Sequence, residues 1–250
     1  MFVYLRIFVY NYVNYILIWR KIAMEKYIIS YENPCVTIAA LLEELHMDKM
    51  DNCGSRVKKV IEMHREAVGI ARPVALYSPV VPEKKDGAIL LNSLRFGEPF
   101  VYKMLADHDT VVPYVASCGL EIDEWSKRYI GIFEQFIADV IKEMFLDDVR
   151  GKLLDEVREK HFRDSDSVST INPGSLDEEW PISGQKPLFD LLGGVTCDIG
   201  VELTPSMMMI PTKSVSGVMF QTEKPFHNCQ LCAREDCPGR APGTAPAPLK

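Results

Sequence analysis

Three thiols stand near the end of the chain. Cys229, Cys232 and Cys237 form a C-x2-C-x4-C array inside HNCQLCAREDCPGR, residues His227 to Arg240. Thiolates grouped this closely select soft metals, which means zinc or an iron–sulfur cluster. A cluster takes four cysteines, so a fourth ligand must come from elsewhere. Cys118 in ASCG is the first candidate, because it sits in a strand-to-helix turn beside a permissive glycine, and Cys197 and Cys53 are alternatives. His227 would complete a Cys3His zinc site, although the single residue between it and Cys229 strains a tetrahedral cage. The competing reading is three incidentally grouped thiols. Arg234 and Arg240, interleaved with them, would offset their charge.

The rest of the chain must position that array. Its 250 residues, 47% hydrophobic and 25% charged, suit one large domain or two small ones, with a core that needs no staples. Seven cysteines without paired spacing do not make a disulfide scaffold, and a reducing cytoplasm is expected. A net charge of −7, with Lys and Arg scattered, argues against a nucleic-acid partner. Residues 1–23 are apolar and aromatic but carry Arg6, Asn11 and Asn14, which are costly in hydrocarbon. A start at Met24, a terminal strand or helix, and a membrane anchor are the three readings, the anchor being the least favoured. Domain limits are set at 24–226 for the main domain, 227–240 for the Cys-rich segment and 241–250 for a disordered Pro/Ala tail.

Ser55 to Gly69 predicts a helix with Val57, Val60, Ile61, His64 and Val68 on one face, Ser55 as cap and Gly69 as stop. PVALYSPV, GAILL and TVVPYVAS read as strands, with PEKKDG as a turn and Pro113 marking an edge or bulge. From Ile122 to Met144 the apolar spacing predicts one helix, followed by a second from Asp148 to His161 after a kink near Gly151. RDSDSVSTINPGS reads as a polar linker. SGQKPLFDLLGG predicts a short helix capped by Ser183 and closed by Gly193 and Gly194. CDIGVELT and KSVSGVMF read as paired strands. The histidines His46, His64, His108 and His161 show no ligand spacing, and Met207, Met208 and Met209 read as core before ligand contacts. Trp180 and Phe220 read as core aromatics. The fold class is α+β.

NPGSLDEEWPISGQKPLFDLLG followed by IGVELTPSMMMIPTKSVSGVMF resembles the activation (reactivation) domain of cobalamin-dependent methionine synthase, in the form of small stand-alone proteins. The likeness extends weakly back to about residue 85. It implies a twisted, mainly antiparallel sheet with flanking helices. It also implies S-adenosylmethionine binding and docking over a corrinoid, in support of reductive methylation with an electron from an outside donor such as flavodoxin or ferredoxin. Site residues carried over are Thr170, Pro173, Gly174, Ser175, Ser216, Gly217, Met219 and Phe220. Two depart from the family pattern: Thr170 stands where the family has an arginine, and Ser175 where it often has a tyrosine. Losing a bidentate carboxylate partner removes about 1.5–3 kcal/mol.

The expected function is therefore reactivation of a corrinoid, the cobalamin of a partner protein or of methionine synthase modules, in methionine biosynthesis or related methyl transfer. A shallow pocket walled by the glycines of the two motifs would receive it, and a cluster at the thiols would relay the electron. The alternative is a non-catalytic docking module for a corrinoid protein with a structural zinc site. A free-standing methyltransferase lacks support, because no glycine-rich βαβ start is present.

Overall fold

The computed structural model describes residues 24–48, 54–163, 167–175, 179–224, 226, 228–232, 236, 240 and 243–244. The expectations for residues 1–23 and for Cys53, His227 and Cys237 fall outside the described residues, as does most of the 241–250 tail.

Five strands build the central sheet: β1 (Tyr27–Ser30), β2 (Val74–Tyr77), β6 (Val112–Ser117), β10 (Ser214–Thr222) and β7 (Ser167–Ile171), in that spatial order and antiparallel throughout. A separate meander joins β3 (Pro82–Lys85), β4 (Ala88–Leu91) and β5 (Leu94–Phe96), and β8 (Glu202–Leu203) pairs with β9 (Met209–Ile210).

One face of the sheet carries α1 (Ile38–Glu44), α2 (Ser55–Ile70), α4 (Leu120–Ser126) and the 30-residue α5 (Ile132–His161). Val57, Val60, Met63, Ile137, Ile141, Phe145 and Val149 meet Ala75, Tyr77, Val112, Tyr114 and Ala116 there. The other face is covered in two patches. The meander, α3 (Pro99–Leu105) and α6 (Gln185–Leu192) lie over Val218 and Phe220, while Leu192 and α7 (Val195–Ile199) lie over Val74, Leu76 and Val115. With both faces covered, β2 and β6 are buried at every position, so neither shows polar–apolar alternation. The observed class is the α+β arrangement expected, an antiparallel sheet with flanking helices.

Several local expectations are corrected. The Ile122–Met144 helix is two helices, broken at Lys127–Gly131, where Tyr129 folds edge-on to Trp125 with ring centroids 5.0 Å apart. Beyond the break α5 runs straight through Gly151, and Ile132 and Phe136, both part of that apolar spacing, are 88% and 57% exposed. Ser55 is the first residue inside α2 rather than its cap, and Gly69 lies within the helix. Gly184, not Ser183, precedes α6, while Gly193 closes it as expected. PEKK is a strand instead of a turn, and SVSTI is the edge strand β7 instead of a linker. CDI is helical, and β10 pairs with β6 and β7. Pro113 is in the middle strand of the sheet. It is tolerated because it stands at the start of β6, past the end of the β2 ladder, where its carbonyl accepts the Ser78 N–H. Met208 is 53% exposed, not core.

Candidate ligand site at the Asn172 bend

Strand β7 ends in a tight reversal, Asn172-Pro173-Gly174-Ser175. Ser175 N donates to Asn172 O at 3.3 Å, proline stands at the second position, and Gly174 at the third has φ +80°. That is a type II turn, whose third residue must be left-handed, so the glycine is required by geometry. The turn is pinned from behind: Gly174 N donates to the carbonyl of the fully buried Trp180 at 2.9 Å. Pro173 is buried, Gly174 half-buried and Ser175 exposed.

The Asn172 side chain reaches across β10. Its Nδ2 donates to Ser216 O at 2.8 Å and to the Tyr114 hydroxyl at 3.0 Å, and Tyr114 Oη lies 3.2 Å from Thr170 Oγ1. Gly217 makes this crossing possible. A Cβ there would collide with Asn172 Nδ2, stand 2.5 Å from Ile171 O and meet the Tyr114 ring at 3.1 Å. The two glycine-bearing motifs are therefore adjacent, as expected, but Gly217 lies mid-strand and its free space is filled by protein. It walls no open pocket for a corrinoid, which corrects that part of the sequence reading.

The other carried-over residues divide by strand alternation. Thr170, Gly217 and Met219 share the face of Tyr114, while Ser216 and Phe220 share the opposite one. Thr170 is half-exposed at the sheet edge. Ser216, Met219 and Phe220 are 2%, 5% and 1% exposed, so their side chains are closed in the core. Phe220 packs against His108, with ring centroids 5.1 Å apart. The outward face of the site is thus Thr170, the turn backbone and Ser175. Tyr114 and Asn172, which organise it, were not singled out from sequence. The signal for them was a glycine inside a strand, which marks a close approach by another group.

The C-terminal segment runs past this edge. Phe226 N donates to Ser169 Oγ at 2.8 Å, and Asn228 Nδ2 lies 3.5 Å from Asn172 Oδ1. Cys229 and Cys232 close one turn, Cys232 N to Cys229 O at 3.4 Å, and Arg240 donates to the Cys229 and Cys232 carbonyls at 3.0 and 3.5 Å. Both thiols are half-buried. Cys118 does not join them. It is fully buried beneath α5, in the core cluster opposite the one Cys232 packs against, and burial pushes its thiol up to about 12. A thiol held protonated in apolar surroundings makes a poor metal ligand. Among the described residues no group of three or more His, Cys, Asp or Glu is placed to hold a metal ion. No described helix is long and apolar enough to cross a membrane.

The family model described as "Vitamin B12 dependent methionine synthase, activation domain" matches residues 177–238, a span that starts just past the turn and takes in the thiol array. No curated protein matches the chain by sequence. Among solved structures, the MetH reactivation domain bound to AdoHcy superposes with a TM-score of 0.55 at 14% identity, over 84% of this chain and 83% of that one. The protein has the fold of the methionine synthase reactivation domain and carries a match to the activation-domain family over residues 177–238.

Proposed function

We propose that this protein supports reductive methylation of a corrinoid, the cobalamin of a partner protein or of methionine synthase modules, with S-adenosylmethionine held at the Asn172 bend. The observation that carries this reading is the bend itself, an edge-exposed type II turn locked to β10 in the fold of a domain solved with AdoHcy. When bound, S-adenosylmethionine supplies the methyl group, and an outside donor such as flavodoxin or ferredoxin supplies the electron. This chain's part is to bind and orient. Thr170 Oγ1, Ser175 and the turn backbone at Pro173 and Gly174 face the ligand. Ser216 O and the glycine at 217 fix the turn from below, with Met219 and Phe220 as packing behind the site.

The residues fit a nucleoside with neutral polar edges, because the edge offers the Thr170 and Ser175 hydroxyls and the turn carbonyls, the Gly174 and Ser175 N–H groups being spent on Trp180 O and Asn172 O. Hydrogen exchange checks the location. Adding AdoHcy slows exchange in 170–175 and in neighbouring β10, and unchanged protection there removes the site.

Cys229, Cys232 and Cys237 are proposed to hold zinc or an iron–sulfur cluster with a fourth ligand other than Cys118. Support comes from the C-x2-C turn, whose carbonyls are anchored by Arg240. Metal, iron and sulfide analysis after anaerobic purification decides between a cluster and zinc, and metal-free protein ends the proposal. Zinc would turn the reading of the thiols toward a structural clip on a docking module.

A further inference from the structure

The direction of the hydrogen bonds around Asn172 determines what Thr170 shows to the outside. A backbone carbonyl only accepts, so the Asn172 atom 2.8 Å from Ser216 O is the amide nitrogen. That nitrogen gives its second hydrogen to the Tyr114 hydroxyl oxygen at 3.0 Å. The opposite amide atom, Oδ1, faces Asn228 Nδ2, which is consistent with the same orientation. With an N–H arriving at its oxygen, the Tyr114 hydroxyl spends its own proton on Thr170 Oγ1 at 3.2 Å. Thr170 then accepts from inside, and its single proton is left to point away from the sheet. Tyr114 is 1% exposed, so it is fixed in the core, whereas Thr170 is half-exposed on the edge strand.

Every group in this relay is neutral. In sequence, the turn is followed by Asp177, Glu178 and Glu179, three carboxylates and no cation. An incoming carboxylate would find no opposite charge in the relay, while a neutral acceptor oxygen would find an oriented donor.

We infer that Thr170, aimed by Asn172 through Tyr114, is a specificity-determining outward donor, and that the bend takes adenosyl thioethers without reading the amino-acid carboxylate. This rests on the reading of the bend as the nucleoside site. The nucleoside is held by neutral hydrogen bonds, and the amino-acid end of the ligand stays in water.

Titration calorimetry on the full chain tests this with AdoHcy and with 5′-methylthioadenosine, the same nucleoside thioether without the amino-acid group. The two bind within about threefold of each other, and Thr170→Val, isosteric and suited to a strand, weakens both by about tenfold. Binding of AdoHcy tenfold or more above 5′-methylthioadenosine in the unaltered chain overturns the inference and leaves the nucleoside site standing, with the carboxylate read by another cation such as Arg240. A Thr170→Val protein with native circular dichroism and unchanged affinities also overturns it. No heat from either ligand at millimolar concentration removes the nucleoside site and the inference together.

Discussion

Asn172 and Tyr114 belong to chain segments with β10 between them, yet the Asn172 amide donates to the Tyr114 hydroxyl at 3.0 Å directly over Gly217. A polar side chain crosses a whole strand because that strand has no Cβ at the crossing point. The contact ties the central strand β6 to the exposed turn, so the core sets the position of the edge.

Gly217→Ala should break this crossing. The new methyl meets the backbone oxygen of Ile171 at 2.5 Å and collides with Asn172, and a backbone atom in mid-sheet cannot swing aside. Overpacking of this kind costs about 1–3 kcal/mol. Urea denaturation should show that loss, together with weaker AdoHcy binding.

Tyr114→Phe keeps the ring and removes the hydroxyl. The Asn172 N–H then faces an apolar edge, and stability falls by about 1–3 kcal/mol, the cost of a buried donor left without its acceptor. Ligand affinity falls with it, because Thr170 loses the donor that orients it. An unchanged denaturation midpoint would contradict the network.

Much of this scaffold was readable in the sequence, and the exceptions have physical causes. GAILL and TVVPYVAS were legible as strands because both are apolar runs bounded by turn residues. PEKK and SVSTI were not, because each is a polar strand at the rim, where one side faces water and pairing alone makes it extended. The break at Lys127–Gly131 escaped because Tyr129 continues the apolar spacing while packing onto Trp125 as a loop residue. At the bend, the Pro173-Gly174 turn was legible from its motif. Tyr114 was not, since one tyrosine in a strand carries no mark of the glycine opposite it, which only the register reveals. Cys118 was misassigned because sequence distance says nothing about which face of a sheet a thiol enters.

Lys142 and Asp123 form a buried pair at 3.4 Å, 8% and 7% exposed, joining α5 to α4. Removing Lys142 leaves Asp123 only the more exposed Lys127 at 3.4 Å, so Lys142→Met should destabilise by less than the about 3–5 kcal/mol of a fully stranded buried charge. The double variant Lys142→Met, Asp123→Leu should recover part of that loss. Equal stability of the single variant and the parent in urea would contradict the pair's role.

Acid should loosen the β1 side of the sheet. Burial, aided by the Lys160 charge and opposed by Glu156 and Glu25, holds His161 below its ordinary 6.5. Its ring stands edge-on to Tyr27 and Tyr77 at 5.9 Å from each. A depressed folded value means that the unfolded chain binds the proton first. The stabilisation is therefore complete above about pH 6.5 and is lost as pH falls through the folded value. His108, also held down by burial, adds to the same limb. Melting temperature should fall between pH 7 and 5.5, and His161→Phe, which keeps the ring edge, should flatten the fall. An unchanged slope would locate the titration elsewhere.

The central claim meets its most direct test in the visible spectrum of a corrinoid. A corrinoid-binding module of a cobalamin-dependent methionine synthase, loaded as cob(II)alamin, is mixed anaerobically with this protein, S-adenosylmethionine and titanium(III) citrate. The account predicts conversion to methylcobalamin, faster with the protein than without it and slowed by Gly217→Ala. Equal rates with and without the protein would contradict it.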